Sequence, residues 1–239
     1  MTRRAFLAAA RAAVACTAVA CTLALAGCGS LAKIGTAGHY PPAKSFTVAG
    51  RVTTVVIDGG GSSIDVTGAS RSSVGVSEQA SYSKSPPVAT HVLSGTTLTL
   101  SYTCPSEVIC GVSYTVQVPS GVTLRASTGA GAITLTSLSG PVTARADAGL
   151  ITAVDLRSAT ANLKSNAGGV VATFAAAPAA VQASTNLGPI TLTVPGTVAY
   201  KISTHTLIGT STITVRKSAT SSHAITASSD VGSISISPS

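Results

Sequence analysis

The chain of 239 residues contains no tryptophan, three phenylalanines and five tyrosines. A carbohydrate-binding groove usually presents exposed aromatic rings, and single-stranded nucleic acid is bound by stacking bases on such rings. The composition therefore argues against both functions. Acidic residues are also scarce, since seven Asp and Glu stand against fifteen Lys and Arg, for a formal net charge of +8. A catalytic carboxylate pair has few residues to draw on.

The few acidic residues are candidates for a polysaccharide-cleaving site, because such β-helix enzymes gather acidic residues on one sheet. The candidates are Asp58, Asp65, Asp147, Asp155 and Asp230. Asp147 and Asp230 occupy corner positions of a repeat, where Asp is ordinary turn chemistry. Serine is too abundant to indicate a Ser-His-Asp triad, and no Gly-x-Ser-x-Gly sequence occurs. We therefore expect no catalytic residues, and the protein is predicted not to be an enzyme.

Metal ligands are also missing from the sequence pattern. The histidines are His39, His91, His205 and His223. None stands within metal-ligand spacing of another histidine or of a cysteine. Neither a metal nor another cofactor is predicted.

The N-terminal apolar run, from Ala12 to Ala26, is too short to span a bilayer permanently. It follows Arg3 and Arg4 and ends in the sequence Leu-Ala-Gly-Cys at Cys28. A basic start, an apolar run and small residues before a cut are typical of a secretory signal, here residues 1–27. The last four residues resemble the lipobox of bacterial lipoproteins. That resemblance implies acylation of Cys28, which would become the mature N-terminus and attach the chain to the membrane.

The export route is left open by the residues before the apolar run, Thr2 to Leu7. They read Thr-Arg-Arg-Ala-Phe-Leu and resemble the twin-arginine signal, whose cargo crosses the membrane folded. An ordinary positively charged start of a general secretory signal accounts for the two arginines equally well. Either route leads to the extracytoplasmic face of the cell membrane, where we expect the protein.

Three segments are predicted for the chain: the signal at 1–27, a lipid anchor and flexible linker at 28–45, and one β domain at 46–239. Removal of Arg3, Arg4 and Arg11 leaves twelve basic and seven acidic residues, a formal charge of +5. Cys104 and Cys110 are the cysteines that neither leave with the signal nor carry lipid. Two cysteines so close in an exported protein indicate a disulfide, and a zinc site would need two further ligands.

A ten-residue pattern returns six times between Leu124 and Ile234. The copies read LRASTGAGAI, VTARADAGLI, ANLKSNAGGV, VQASTNLGPI, ISTHTLIGTS and ITASSDVGSI. Their eighth place is always glycine: Gly131, Gly149, Gly168, Gly188, Gly209 and Gly232. A spacing near twenty residues is typical of a solenoid.

Each copy reads as two short strands joined by a corner. Its first, third and tenth places are apolar or small in nearly all copies, and the alternation continues beyond the glycine. Residues with turn character occupy the sixth place, and the glycine allows a neighbouring backbone to pass close by. The prediction is a single-stranded, β-helix-like solenoid with successive copies stacked and regular rungs at 122–236. A β-sandwich, whose strands also recur at short intervals, is the alternative.

The section from 46 to 121 lacks the pattern but contains strand-like runs, and we expect it to form an irregular β cap at one end of the solenoid. The segment from Tyr114 to Leu124, followed by Gly131-Ala132-Ile133 and its returns, resembles a bacterial family of unknown function described as putative adhesins. The resemblance covers about 46–236 and implies a β-solenoid behind a lipoprotein signal or membrane anchor. The tenth place departs from the family pattern at Ser211, and the family supplies no catalytic residues to transfer.

The sequence thus predicts a structural or binding, adhesin-like lipoprotein of the cell envelope without enzymatic activity. Arg125 and Arg145 are predicted to stack in a short basic ladder with Lys164 near the same track, facing lipid headgroups or wall polymer. Besides the membrane, the expected partner is a cell-wall polymer or an envelope protein, and no nucleic acid. The alternatives are a polysaccharide-cleaving β-helix and an envelope-stress regulator that binds a membrane sensor. The oligomeric state is left open, because open solenoid ends are able to pair edge to edge.

Overall fold

A computed structural model describes residues 38–105 and 109–239. The predicted signal, Cys28 and the first part of the predicted linker lie outside the described residues. Those that are described form strands and turns, without a helix. The same residues accordingly offer no helix with the length and apolar character needed to cross a membrane.

The strands number nineteen in the described residues. They are β1 Lys44–Val48, β2 Thr54–Asp58, β3 Ile64–Ala69, β4 Val74–Tyr82, β5 Val88–Ser94, β6 Thr97–Thr103, β7 Cys110–Pro119, β8 Thr123–Thr128, β9 Ile133–Thr136, β10 Val142–Ala148, β11 Ile151–Leu156, β12 Thr160–Ala167, β13 Val170–Phe174, β14 Ala180–Leu187, β15 Ile190–Val194, β16 Lys201–Ile208, β17 Ser211–Ile213, β18 Ala224–Val231 and β19 Ile234–Pro238.

The strands form two large sheets, which confirms the all-β prediction. Sheet A has ten strands in the order β1-β4-β7-β3-β9-β11-β13-β15-β19-β17. Sheet B has nine strands in the order β16-β18-β14-β12-β10-β8-β2-β6-β5. From β8 onward, successive strands alternate between the sheets and pair in parallel with strands of neighbouring copies. Each copy therefore contributes one strand to sheet B and one to sheet A.

The apolar places of the copies form the core. In the first copy these are Leu124, Ala126, Ile133 and Leu135, and all four are buried. The same places are buried in every other copy except the fifth, which runs from Ile202 to Ile213. Two-residue alternation puts these side chains on the inner face of each sheet, where burial of aliphatic groups stabilises the fold without an aromatic core.

The repeat glycines lie one against the next and form a column, here called the glycine column. A Cβ atom added to Gly149 would overlap the carbonyl oxygen of Gly131, and one added to Gly168 would overlap that of Gly149. Gly188, Gly232 and Gly209 continue the column in the same manner. Each copy thus has a glycine at the corner because the backbone of the neighbouring copy occupies the space of a side chain.

A hydroxyl at the fifth place of the repeat holds neighbouring corners together. Ser165 Oγ donates to Gly149 O over 2.8 Å, and Thr185 Oγ1 donates to Gly168 O over 2.7 Å. The equivalent hydroxyls of Ser229, Thr206 and Thr128 also donate to corner carbonyls. The second copy has Ala146 at this place and makes no such bond. All of these residues except Thr206 are buried, so their hydrogen bonds also remove the cost of burying a polar group.

We expect Ser165→Ala to destabilise the domain by about 1 to 3 kcal/mol, because it leaves the Gly149 carbonyl without this donor. The reverse substitution, Ala146→Ser, supplies the missing hydroxyl and is expected to stabilise the domain by about 1 kcal/mol. Urea unfolding followed by circular dichroism measures both changes. An equal loss of stability in both variants would contradict the assigned role of the hydroxyl.

The sequence predicts that successive copies stack in chain order. The structure departs from this order at the last two copies. Sheet B places β18 of the sixth copy between β14 of the fourth and β16 of the fifth, and sheet A repeats this order. The fifth copy therefore forms the outer edge of both sheets. Its Ser211 takes the place that is apolar elsewhere, and the polar residue is tolerated because the edge is exposed.

The section at 46–121 belongs to the same two sheets. β2 and β3 pair in parallel with the first copy, and β6 and β7 pair in parallel with β2 and β3. Parallel pairing therefore begins before residue 122, where the sequence placed the first regular rung. Only β1, β4 and β5, which complete this end, pair antiparallel to their neighbours. A disulfide between Cys104 and Cys110 closes the connection from β6 to β7, with a Cα separation of 5.8 Å.

Candidate functional site

The basic residues predicted to form a ladder lie on the outer face of sheet B, but their pairing differs from the prediction. Arg145 is in direct register with Lys164, whereas Arg125 is in register with Thr143. Arg125 therefore lies diagonally from Arg145, because Arg125 is at the second place of its copy and Arg145 at the fourth. All three cationic side chains are exposed. We call Arg125, Arg145 and Lys164 the basic face.

A shallow groove of about 430 Å³ runs across the basic face. Arg125 and Arg145 line it together with the polar side chains of Ser127, Thr143 and Asn162. Neighbouring strands lie roughly 4.8 Å apart, so the cations recur at short intervals along the stack. This arrangement offers hydrogen-bond donors and positive charge to an extended anionic chain.

The five aspartates considered for catalysis are dispersed. Asp147 Oδ1 accepts a hydrogen bond from Asn166 Nδ2 over 3.0 Å. Asp230 occupies the same place of its copy three strand steps away, a separation of roughly 14 Å. Asp58 Oδ1 accepts from Gly60 N over 3.2 Å in a turn, which is an ordinary structural role.

The remaining two aspartates lie on sheet A. Asp65 is exposed and in register with Thr134. Asp155 has a positive φ of 58°, and its side chain accepts from Ser137 Oγ over 3.4 Å. Asp155 thus lies at an irregularity of β11, where the register with β13 shifts between Ala153 and Leu156, and neither aspartate is joined to another acid by these contacts.

The histidines also occupy separate environments. His39 stacks on Tyr82 with ring centroids 5.3 Å apart, and His223 Nδ1 lies 2.8 Å from Pro178 O. His205 is exposed on the outer face of sheet B, in register with Ser228. Within 38–105 and 109–239, the structure gathers no group of three His, Cys, Asp or Glu residues suited to a metal ion.

A cavity of about 540 Å³ opens at the N-terminal end of the sheets, and we call it the N-terminal cleft. Sheet A supplies Lys44, Phe46 and Glu78, and sheet B supplies Val88 and His91. The Phe46 and His91 rings contact each other across the cleft with centroids 4.4 Å apart. A cleft with apolar walls and a few charged groups is the usual form of a small-molecule site.

The charged groups of the cleft continue an inner row of sheet A. In most copies this row is occupied by isoleucine or valine, as at Ile133, and it reaches Ile64 on β3. Beyond Ile64 the registered residues become Tyr114, Glu78 and Lys44 on β7, β4 and β1. This row of inward residues in sheet A therefore becomes polar at the N-terminal end. The cleft lies there, where sheet B has no further strand beyond β5.

Glu78 is the buried acid of the cleft. Its side chain is 7% exposed, and its Oε1 has no hydrogen-bond partner in the described part of the chain. Burial raises its pKa above the ordinary value of 4.5, while the nearby His91 and Lys44 act in the opposite direction. The neighbouring Tyr114 Oη is also buried without a partner, and burial together with Glu78 raises the pKa of Tyr114. Two buried polar oxygens on adjacent strands therefore lack partners within the described residues, and one of them belongs to Glu78, which lines the cleft.

Glu78 was missed by the sequence analysis, although the sequence contains a signal for it. In the run Val74-Gly-Val-Ser-Glu-Gln-Ala, Glu78 takes the alternate place that Val74 and Val76 occupy before it. A charged residue at an inward position of a strand is unusual unless it is paired or functional. Glu78 lies within a strand and outside the six copies, so neither the turn pattern nor the repeat pattern indicates it.

We expect Glu78→Met to stabilise the free protein more at pH 8 than at pH 4. A raised carboxyl pKa means that the folded protein binds the proton more tightly than the unfolded chain does. Wild-type stability therefore falls as the pH rises from 4.5 through the raised pKa of Glu78. The difference at pH 8 should be about 1 to 3 kcal/mol, the cost of an unsatisfied buried group.

Urea unfolding of the wild type and Glu78→Met at pH 4 and pH 8 measures this difference. Lys44 and Tyr114 on the strands adjoining β4, and His91 on sheet B, are unchanged in both proteins. Asp65→Asn removes an exposed acid from the same sheet and serves as the control. A variant whose advantage is equal at the two pH values would rule out an ionised, unsatisfied Glu78.

The described residues thus define an all-β protein of two large sheets. Among solved structures, the chain is similar to one described as a putative cell adhesion protein from Clostridium sporogenes, with 11% identity, a TM-score of 0.48, and coverage of 83% of this chain and 100% of that one. It is also similar to a putative adhesin from Bacteroides fragilis, with 14% identity, a TM-score of 0.43, and coverage of 83% and 97%. These descriptions match the family that the sequence resembles. They assign this chain neither a partner nor an activity.

A third similar structure is a putative adhesin from Parabacteroides merdae, with 9% identity, a TM-score of 0.32, and coverage of 83% of this chain and 95% of that one. No family model matches the chain, and no curated protein matches it in sequence.

Proposed function

We propose that the protein is a lipid-anchored β-solenoid on the outer face of the cell membrane that binds anionic wall polymer through its basic face. It acts as a rigid binding module and not as an enzyme. The anchor is Cys28, which lies outside the described residues, and the proposal for it rests on the lipobox resemblance.

The solenoid assignment is supported by the way the copies contact one another. Consecutive strands alternate between the sheets, and equivalent strands pair in parallel with their repeat positions in register. In a sandwich built of hairpins, neighbouring strands would instead be mainly antiparallel. The glycine column adds a second observation, because it requires each corner to lie directly against that of a neighbouring copy.

The single observation that supports polymer binding is the clustering of Arg125, Arg145 and Lys164 on the outer face of sheet B, where Arg125 and Arg145 line one groove. The exposed residues beside them are mainly Ser, Thr and Asn, which are small hydrogen-bonding groups. Cations on neighbouring strands of one sheet suit a chain with repeating negative charges, because each contact raises the effective concentration of the next charge without a rearrangement of the backbone. The separation of Asp147 from Asp230, the turn role of Asp58 and the place of Asp155 at an irregularity of β11 support a non-enzymatic function.

Co-sedimentation with purified cell-wall material tests this function. We expect the triple variant Arg125→Gln, Arg145→Gln, Lys164→Gln to bind about tenfold more weakly or worse, since each exposed cation contributes up to about 1 kcal/mol. Binding of the wild type should also weaken between 50 and 500 mM salt, as expected for exposed charges.

The matched control is Arg51→Gln, Arg157→Gln, Lys201→Gln, which removes the same charge from exposed positions elsewhere. Its binding should change less than twofold. Equal losses in the two triple variants would show that net charge alone drives binding and would remove the basic face from the account.

A further inference from the structure

We propose that the N-terminal cleft binds the headgroup and adjoining chain of a membrane phospholipid that carries both a primary ammonium and a phosphate. The ammonium donates hydrogen bonds to Glu78, the phosphate lies between Lys44 and His91, and the apolar chain packs on the walls of the cleft. The membrane source rests on the proposed anchor at Cys28, whereas the chemistry of the cleft does not depend on it.

Glu78 indicates the ammonium. Its side chain lines the cleft, and its buried Oε1 has no partner within the described residues. An unpaired buried carboxylate is costly, and a ligand ammonium offers both the compensating charge and N–H donors. Tyr114, in register with Glu78 on the adjacent strand, carries the second unsatisfied oxygen and lies outside the lining of the cleft. The carboxylate of Glu78 therefore favours a group with several donors.

Lys44 and His91 indicate the anionic group. Both line the cleft, and both are close enough to Glu78 to influence its ionisation. Lys44 is opposite Glu78 on the adjacent strand, and its exposed side chain lies toward the outer end of the row. A ligand bearing only a positive charge would be repelled by Lys44, so a zwitterion satisfies the three groups better.

The walls of the cleft indicate the apolar chain. Phe46 and Val88 belong to opposite sheets and line the cleft together with Pro86 and Pro87. A volume of about 540 Å³ is within the range of sites that hold a drug-sized molecule, so the headgroup and part of one chain are accommodated. Burial of that chain would supply the hydrophobic part of the affinity.

The cleft lies close to the proposed anchor along the chain. Pro41 lines the cleft, and its carbonyl accepts a hydrogen bond from Gln79 Nε2 over 2.6 Å. The backbones of His39 and Tyr82 exchange two hydrogen bonds at the end of β4, each N–H donating to the carbonyl of the other residue. Gly38, the first described residue, follows Cys28 by ten positions, which span at most about 35 Å. A protein acylated at Cys28 would thus hold the cleft within reach of the lipid surface.

Native mass spectrometry of the mature full chain in a non-ionic detergent tests the proposal. The probes are lysophosphatidylethanolamine, lysophosphatidylcholine, lysophosphatidylglycerol and free phosphoethanolamine. The choline lipid keeps both charges but has no N–H donor, and the glycerol lipid has no cation. We expect the ethanolamine lipid to bind about tenfold more tightly than either, the range of a hydrogen bond to a charged group. Free phosphoethanolamine should bind more weakly still, because it lacks the apolar chain.

Glu78→Gln keeps the shape of the side chain and should abolish the preference for ethanolamine, while Asp65→Asn should leave it unchanged. Thermal unfolding of both variants shows whether they are folded. Equal binding of the three lysolipids, or a preference that survives Glu78→Gln, would overturn the assignment. Free phosphoethanolamine binding as tightly as the lysolipid would overturn the lipid source. If only the proposed anchor is wrong, the protein will carry no acyl group at Cys28 but will still prefer the ethanolamine lipid.

Discussion

Gly188→Ala is expected to destabilise the domain by about 3 to 5 kcal/mol, or to prevent folding. Gly188 has a φ of 142°, a conformation that residues with a side chain rarely adopt. Its added Cβ would also lie 2.6 Å from the carbonyl carbon of Gly168 and overlap the oxygen of that carbonyl. Backbone strain and overpacking each cost about 1 to 3 kcal/mol, and here they act together.

Circular dichroism during heating measures this loss, which corresponds to a fall in Tm of roughly 10 °C. Gly121→Ala is the matched control, because its added Cβ finds only Ser139 Oγ at 3.9 Å. That control should stay within about 0.5 kcal/mol of the wild type. If Gly188→Ala were as stable as Gly121→Ala, the corners would not be in contact.

Cys28→Ala is expected to remove all fatty-acid label from the protein. If the lipobox resemblance holds, Cys28 is the acylated residue, and no other position in the mature N-terminal segment offers a thiol before Cys104. Cells grown with an alkyne fatty acid, followed by dye coupling and electrophoresis, report acylation directly. The expected change is complete loss of the label and not a partial reduction.

Cys21→Ala is the control for this experiment, because Cys21 lies within the predicted signal and is removed with it. Its labelling should equal that of the wild type. Persistent label on the Cys28→Ala protein would place the lipid elsewhere or remove the anchor from the account, without affecting the polymer-binding and cleft experiments.

Much of the fold could be predicted from the sequence because the same physical requirements recur in every copy. Alternating apolar residues such as Leu124 and Ala126 report the inner face of a strand, and the invariant glycine reports close backbone approach. The disulfide between Cys104 and Cys110 was also predicted and is present. The fifth-place hydroxyls were overlooked, although Ser or Thr occupies that place in five of the six copies.

The order of the last two copies could not be predicted. The sixth copy has the same apolar places and glycine as the others, so it is able to pair with either the fourth or the fifth copy. The only hint was Ser211, a polar residue at an apolar place, which the exposed edge of the sheets explains. The pairing of the N-terminal strands could not be predicted either. β2 and β8 are neighbours in sheet B but are separated by more than sixty residues, and no periodicity connects them.

The candidate sites differed in how far the sequence revealed them. The basic face was predicted by composition and repeat position, but its pairing depended on places within the copy, so Lys164 and not Arg125 partners Arg145. The cleft was not predicted, because it arises where strands distant in sequence, β1, β4 and β5, end the two sheets. Glu78 becomes notable only when its inward direction and lack of a partner are known.

Paired cysteine substitutions on the outer face of sheet B test the stacking of copies most directly. Gln182 is in register with Thr226, and Thr226 is in register with Ser203. Adjacent strands bring Cα atoms within disulfide range, whereas positions two strands apart lie roughly 10 Å from each other. Oxidation followed by tryptic peptide mapping should therefore find disulfides in Gln182→Cys, Thr226→Cys and in Ser203→Cys, Thr226→Cys, but none in Gln182→Cys, Ser203→Cys. Disulfides in the two pairs that contain Ser203→Cys, with none in Gln182→Cys, Thr226→Cys, would restore chain-order stacking, and none in any pair would contradict the parallel, in-register solenoid.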